Sequence, residues 1–288
     1  MIIKSIVNKK LYFWKMNGIK SFFRFLINTN ILVSFCVSFL ALSSELLFYS
    51  SNYQISKFVF FATLFTYNFQ RIVRIKRGIA HKRKQWTLNN LILVYSLIVI
   101  GTIGSFYHFF LFNRNTQILI FIAGIVSILY PLGLRKIPFC KIFIISFTWT
   151  ISTMILLISE NNILLNTNTY LHVISRFLFV LAITIPFDIR DIKYDHVKLK
   201  TIPIIVGITK AKAIAIIALF ALQLVSTYQF LNYNLNFGYF IAIILSCIFS
   251  AILIRKSEER KSDFFFSFWV ESLSIVFYLF LAITTLFF

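Results

Sequence analysis

The chain has 288 residues, of which 59% are hydrophobic and only 13% are charged. A soluble domain carries about 25% charged residues, so the composition excludes an ordinary soluble protein and indicates a membrane protein. The formal charge of +20 is also typical of nucleic-acid-binding proteins. Here, however, the basic residues lie between long apolar runs, which favours anionic phospholipid over nucleic acid as the partner.

The first 30 residues carry six lysines and arginines, and their apolar stretch is short and interrupted by polar residues. This pattern is not that of a cleaved signal peptide. It predicts a basic helix that lies on the membrane surface, for example over Ile19–Ile27. We therefore divide the chain into an interfacial segment, residues 1–30, and a single transmembrane domain, residues 31–288.

Nine apolar stretches are candidates for transmembrane helices, each of which needs roughly 20 mainly apolar residues. The second stretch is the shortest. The expected fold is all-α, a polytopic membrane protein with about nine transmembrane helices. The predicted spans are 31–50, 55–70, 91–112, 116–134, 139–158, 168–187, 211–231, 236–254 and 264–286.

The connections between these spans alternate strictly between ones rich in basic residues and ones that almost lack them. With the N-terminus in the cytoplasm, the inner segments hold 26 of the 29 lysines and arginines, whereas the outer connections hold only Arg114. The positive-inside rule therefore places the N-terminus in the cytoplasm and the C-terminus on the opposite side. We expect an integral protein of a bacterial inner membrane.

The longest inner connections follow the second and sixth spans. The stretch at the end of the sixth span and in the connection after it reads PFDIRDIKYDHVKLKTIP. It holds three of the nine acidic residues of the chain, Asp188, Asp191 and Asp195. On a continued helix they share one face, where a Mg²⁺ ion would relieve their repulsion and Lys193 and Lys200 would bind phosphate oxygens. The alternative is a solvated helix end whose carboxylates pair with nearby lysines.

The run DIRDIKYDHVKLKTIP, followed by VG and a lysine-rich start to the next helix, resembles the second aspartate-rich motif of the UbiA superfamily of intramembrane prenyltransferases. The resemblance covers essentially the whole chain. It implies a ring of nine helices, a cavity that faces the cytoplasm, and Mg²⁺ held by two aspartate-rich motifs. It also implies that a prenyl diphosphate is ionised and its prenyl group passed to an acceptor.

The first aspartate-rich motif of that family departs from its usual pattern here. In TYNFQRIVRIKRG, Asn68 matches the motif's asparagine, so the resemblance implies that it binds the diphosphate, but Phe69 and Ile72 stand at the aspartate positions. In one interpretation, Arg71 and Arg74 replace a metal in binding the diphosphate. In the other, they are cytoplasmic anchors of a chain that has lost this chemistry.

A third basic element follows the fourth span. In YPLGLRKIP, Arg135 and Lys136 match a basic position of the family and are candidates for diphosphate binding, with Tyr130 beside them. An ordinary loop with two basic anchors remains the alternative.

Candidates for the cavity or acceptor site are Tyr130, Gln70, Arg176 and Glu271. An ionisable residue inside a span is expected to face the protein interior or water. For Arg176, snorkelling to the outer interface is the alternative, and a pair between Arg176 and Glu271 is a third possibility. Asp263 is expected at or near a helix cap.

The function predicted from the resemblance is Mg²⁺-assisted transfer of an isoprenoid group from a prenyl diphosphate to an aromatic or lipid-like acceptor. A non-catalytic relative that binds a prenyl lipid, quinone or pigment is the main alternative. A transporter is a weaker one, because the spans lack a chain of buried charges. The acceptor, the prenyl chain length and the oligomeric state stay open.

Overall fold

The computed structural model describes residues 18–50, 52–78, 83–134, 137, 140–193 and 199–287. Within these residues the chain forms helices and no strand. The all-α class predicted from the apolar runs is confirmed.

The helices follow one another with short connections. In chain order they are α1 (Gly18–Asn28), α2 (Ile31–Leu47), α3 (Gln54–Lys76), α4 (Lys84–Asn89), α5 (Leu91–Phe109), α6 (Arg114–Leu132), α7 (Cys140–Thr150), α8 (Leu156–Glu160), α9 (Thr167–Asp191), α10 (Ile202–Val206), α11 (Ile208–Asn232), α12 (Phe237–Lys256) and α13 (Leu273–Phe287). A π-helical segment, Ile151–Ile155, joins α7 and α8 into one helix, and another, Phe265–Val270, precedes α13.

Each predicted span corresponds to a helix of the described residues. Seven of these helices are long and apolar enough to cross a membrane. An eighth span results if α1 and α2, which meet at a bend of 73°, are counted together. The second predicted span, 55–70, is longer than expected: α3 has 23 residues because its helix continues through the basic stretch to Lys76.

The helices close into a ring. Around the ring, α2 packs on α3, α3 on α6, α6 on α7 and α8, and α7 on α9. The order continues through α11, α12 and α13, which packs back on α2. Helix α5 lies outside this ring against α3. The predicted helical ring is therefore confirmed, but within the described residues eight of the nine predicted spans form it and α5 packs against it from outside.

The contact between α3 and α5 is close because α5 carries glycine where the helices meet. A Cβ at Gly101 would lie 2.7 Å from the backbone nitrogen of Phe65 and 2.9 Å from the carbonyl oxygen of Phe61. Small residues allow transmembrane helices to approach at backbone distance. Gly101 therefore fixes the separation of these two helices.

Large apolar side chains cover the outside of the ring. Ile92 and Ile103 on α5, Phe121 on α6 and Phe220 on α11 are all exposed. A soluble protein rarely exposes so many large apolar groups. The lipid of the membrane is the environment that suits this surface, so the chain is an integral membrane protein.

Candidate functional site: a cationic cavity inside the helical ring

A cavity of about 310 Å³ lies inside the ring. Its walls come from α1, α2, α3, α6, α7, α9, the start of α4 and the segment that precedes α13. All of them contribute residues near the ends that adjoin the basic connections. Within the part of the chain that the structure describes, the charged side chains that line it are Arg71, Arg74, Arg83, Lys141, Arg190, Asp191, Asp263 and Glu271.

Lys141, near the start of α7, links the carboxylates at the end of α9. Its Nζ lies 2.8 Å from Oδ1 of Asp188 and 3.8 Å from Oδ2 of Asp191. Arg190 forms a bidentate pair with Asp191, with Nε 2.8 Å from Oδ1 and Nη2 3.2 Å from Oδ2. Lys141 and Asp188 are 7% and 1% exposed, so this pairing is inside the protein.

Asp263 extends these contacts toward α3 and α4. Its Oδ1 lies 3.6 Å from Nη1 of Arg190, and its Oδ2 accepts from Nη2 of Arg83 at 3.1 Å. Arg83 also donates to Oγ of Ser267 at 2.8 Å and to the carbonyl of Ile27 at 3.0 Å. Opposite charges thus alternate along an ion-pair chain: Asp188, Lys141, Asp191, Arg190, Asp263 and Arg83.

These carboxylates do not form a magnesium site as they are arranged. Mg²⁺ requires oxygen ligands at about 2.0–2.1 Å in octahedral geometry. In the described part of the chain no three His, Cys, Asp or Glu side chains converge for a metal. Asp188 and Asp191 share the ammonium of Lys141 instead. Asp195, the third predicted ligand, lies outside the described residues, so the assignment of the three aspartates to Mg²⁺ stays a prediction.

Glu271 differs from the acids of the ion-pair chain. It lines the cavity directly after the π-helical segment. Asp191 and Asp263 each contact at least two basic groups, but Glu271 makes no ion pair within 4 Å to any residue that the structure describes. Its carboxyl group therefore faces the cavity without a direct counter-ion among those residues.

Asn68 and Arg71 stabilise the bend between α1 and α2. Asn30 at the bend has φ 61° and donates to Oδ1 of Asn68 at 3.0 Å. Asn68 donates to the carbonyls of Thr29 and Leu64, and Arg71 donates to the carbonyl of Asn28 and to Oδ1 of Asn30. Asn68 is buried and does not line the cavity. Its position therefore indicates a structural contribution.

The other residues that match the first aspartate-rich motif lie on α3. Some of them line the cavity and others pack against neighbouring helices. Arg74 and Gln70 line the cavity, and Gln70 donates to the carbonyl of Ser127 at 2.9 Å. Phe69, at an expected aspartate position, stacks on Phe65, and Ile72 is buried. The two positions that would hold acids in the family pattern thus serve packing.

Arg176 lies outside the cavity, which corrects its assignment to the cavity or acceptor site. It donates to the carbonyl of Leu40 at 2.8 Å and to the hydroxyls of Ser43 and Ser44 at 2.8 and 2.9 Å. It is buried, so it neither snorkels to the interface nor pairs with Glu271. Acceptors near the C-terminal end of α2 take the hydrogen bonds of its guanidinium group and keep the group away from the cavity.

The remaining predicted residues are placed as follows. Tyr130 lines the cavity. Lys193 and Lys200 do not; Lys193 is exposed and lies 3.6 Å from Glu259, and Lys200 is exposed with φ 45°. Arg135 and Lys136 lie outside the described residues. Diphosphate binding by these four basic residues stays a prediction.

Sequence reasoning missed four charged residues of the cavity as site residues, namely Arg83, Lys141, Arg190 and Asp263. The charge count placed three of them in inner segments, and Asp263 was expected at a helix cap. Only the closure of the ring brings them together. Because acidic residues are scarce in this chain, Asp263 was recognisable as a candidate site residue, but it was interpreted only as a helix cap.

Comparison with known proteins agrees with this architecture. The profile of the UbiA prenyltransferase family matches residues 76–273, more than half of the chain. The first-loop residues 68–74 precede that match. Among curated proteins, no match was found.

Solved structures share the fold at low sequence identity. A UbiA homologue from Aeropyrum pernix K1 aligns with a TM-score of 0.67 and 13% identity, over 88% of this chain and 97% of that chain. A UbiA homologue from Archaeoglobus fulgidus, bound to GPP and Mg²⁺, aligns with a TM-score of 0.60 and 13% identity, over 91% of this chain and 96% of that chain. A digeranylgeranylglyceryl phosphate synthase aligns with a TM-score of 0.59 and 16% identity, over 91% of this chain and 97% of that chain.

Proposed function

Because the chain belongs to the UbiA prenyltransferase family, we propose that its cavity binds a prenyl diphosphate and that the prenyl group passes to a hydrophobic acceptor within the membrane. The observation that carries this proposal is the composition of the cavity. Among the described residues, five basic side chains line it together with three acidic ones, so these residues give the cavity a net positive charge next to apolar walls. A diphosphate joined to an apolar chain is the ligand class that suits both parts.

The diphosphate end would lie among Arg74, Arg83, Lys141 and Arg190. Charged donors form short, strong hydrogen bonds with phosphate oxygens, and arginine presents them as a planar fork. When the carbon–oxygen bond of the prenyl diphosphate breaks, its electron pair leaves with the diphosphate. Donors fixed in advance at this place stabilise the charge that develops there.

The prenyl end would lie against aromatic and aliphatic side chains of the same cavity. Tyr67, Tyr130 and Trp149 line it, as do Ile144 and Ile183. Aromatic faces stabilise a nearby cation, so these rings suit the allylic carbocation that ionisation leaves behind. Apolar walls also limit attack by water on that intermediate.

Glu271 is the group we assign to the acceptor. An acceptor that forms the new bond to the prenyl carbon must lose a proton, and a carboxylate in the cavity wall is able to receive it. Glu271 lines the cavity and forms no ion pair within 4 Å with a described residue. Aromatic and lipid-like acceptors both match this requirement.

The alternative function is a non-catalytic relative that binds a prenyl lipid, quinone or pigment. It is favoured by the loss of both acids in the first loop, where Phe69 and Ile72 stand. Release of inorganic diphosphate from a bound prenyl diphosphate separates the two functions, because the non-catalytic protein would bind the ligand without cleaving it.

Binding of labelled geranyl diphosphate to the purified protein in detergent tests the proposal. Arg74→Met should weaken binding at least about tenfold, since Arg74 lines the cavity. Arg77→Met is the matched control, because Arg77 is exposed and lies outside the cavity. Geraniol should compete poorly and inorganic diphosphate well. Equal effects of the two substitutions, or no saturable binding of geranyl diphosphate, would contradict the proposal.

With the N-terminus in the cytoplasm, as the basic connections predict, the cavity would open toward the cytoplasm. That side supplies water-soluble prenyl diphosphates, whereas the acceptor would enter from the lipid. Reaction of a cysteine introduced at the exposed Lys210 with an impermeant reagent in intact cells tests this orientation. Labelling before lysis would contradict it, provided that a cysteine in the outer connection, such as Leu164→Cys, reports the opposite side.

A further inference from the structure

We propose that Lys141 takes the place of a divalent cation in this cavity, so that the chain binds a prenyl diphosphate without Mg²⁺. The inference rests on the proposed function and adds its cofactor requirement. It arises because Asp188 and Asp191, the predicted metal ligands that the structure describes, do not fit a metal in the observed arrangement.

The first argument is the position of the ammonium group. A metal on the last turn of α9 would need one carboxylate oxygen from Asp188 and one from Asp191, directed to a common point. Nζ of Lys141 lies at 2.8 Å from the first and 3.8 Å from the second. A divalent cation at that point would be repelled by the ammonium, and it would have to displace a side chain that is only 7% exposed.

The second argument is the use of the carboxylate oxygens. Both oxygens of Asp191 accept from the fork of Arg190, and both oxygens of Asp263 lie within 3.6 Å of a guanidinium nitrogen. Mg²⁺ needs several oxygen ligands in a near-ideal octahedron and is not satisfied by contacts shared with arginines. The acids of the ion-pair chain are thus committed to basic partners and hold them in position.

The third argument is the opposite wall of the cavity. On α3, the positions that match the first aspartate-rich motif hold Phe69 and Ile72, whose side chains pack in the protein. The α3 side chains that face the cavity include Arg71 and Arg74. A metal would therefore find no carboxylate on this wall, whereas a diphosphate would find cations there.

Together these features give one charge scheme. In a metal site, acids hold divalent ions and the ions hold the diphosphate. Here acids hold lysine and arginine side chains, and those side chains hold the diphosphate directly. Because an ammonium carries its own hydrogen-bond donors, Lys141 needs no bridging ion to contact a phosphate oxygen.

The test measures equilibrium binding of labelled geranyl diphosphate in EDTA and in excess Mg²⁺. The wild-type protein should bind with the same affinity, within about twofold, in both buffers. Lys141→Met should bind at least about tenfold more weakly in EDTA, and Mg²⁺ should recover part of the loss, because Asp188 then loses its ammonium partner and Mg²⁺ is able to bind one carboxylate together with substrate phosphates. Lys57→Met, an exposed lysine at the far end of α3, should leave both affinities unchanged.

A second measurement follows the metal alone. Electron paramagnetic resonance of Mn²⁺ should show no bound ion in the wild-type protein and bound ion in Lys141→Met. Asp188→Asn gives an independent variant if Lys141→Met fails to fold. Its binding of geranyl diphosphate in EDTA should persist, whereas loss of a metal ligand would abolish Mg²⁺-dependent binding.

Binding by the wild-type protein only in Mg²⁺ would overturn the inference and leave the proposed function standing. Unchanged binding by Lys141→Met in EDTA would also overturn it. Absence of binding in both buffers, with every variant folded, would instead refute the proposed function itself.

Discussion

Replacement of Arg71 by methionine tests whether this residue stabilises the fold or binds the ligand. Arg71 is 3% exposed and lies next to the cavity, but its guanidinium donates to the carbonyl of Asn28 and to Oδ1 of Asn30. These contacts hold the bend of 73° between α1 and α2. We therefore expect Arg71→Met to lower the free energy of unfolding.

The magnitude follows from the bonds that are lost. Hydrogen bonds that involve a charged group contribute about 1.5–3 kcal/mol each, and Arg71→Met removes two of them. Methionine also removes the cost of burying a guanidinium, which offsets part of the loss. A net decrease of about 2–4 kcal/mol in the free energy of unfolding is the expected result.

Unfolding by sodium dodecyl sulfate in mixed micelles, followed by tryptophan fluorescence, measures this change. Arg77→Met is the matched control, since Arg77 is exposed and makes one hydrogen bond to the carbonyl of Leu132. Its effect should stay below about 0.5 kcal/mol. If Arg71→Met unfolds like the wild-type protein but no longer binds geranyl diphosphate, the residue is a ligand-binding group and the structural reasoning is refuted.

Three further substitutions have expected outcomes. Gly101→Ala should destabilise the protein by about 1–3 kcal/mol because its Cβ would press on the backbone of α3; Gly124→Ala, which has open space around it, is the control, and equal effects would contradict the close contact. Arg176→Met should lower stability by about 2–4 kcal/mol through lost hydrogen bonds and leave ligand affinity unchanged; a loss of affinity at normal stability would show that it reaches the ligand. Asp263→Asn should weaken binding of geranyl diphosphate, since Arg83 and Arg190 lose the carboxylate that holds them in position, and stronger binding would contradict this positioning.

The fold was largely predictable because hydropathy and charge act along the chain. Long apolar runs specify membrane helices whatever their partners, and basic connections mark one end of each. The second span was underestimated because α3 continues as a helix through Arg74 and Lys76, which hydropathy alone assigns to a loop. The bend at Asn30 was not predictable from composition, since it depends on hydrogen bonds from Asn68 and Arg71.

The site was predictable only in part because its residues converge from many separate regions of the chain. The motif at the end of α9 identified Asp188 and Asp191, and both prove to share one basic partner. That partner, Lys141, is a single lysine among other basic residues of an inner connection, and no local pattern distinguishes it. Asn68 matched a family motif, yet its amide serves the bend between α1 and α2.

A crystal structure of the protein grown with geranyl diphosphate tests the central claim most directly. The account predicts diphosphate density inside the ring, in contact with Arg74 and Lys141, and the prenyl chain against Tyr130 and Trp149. Density for the ligand elsewhere on the protein, or an occupied cavity in which the diphosphate touches none of these basic groups, would contradict it.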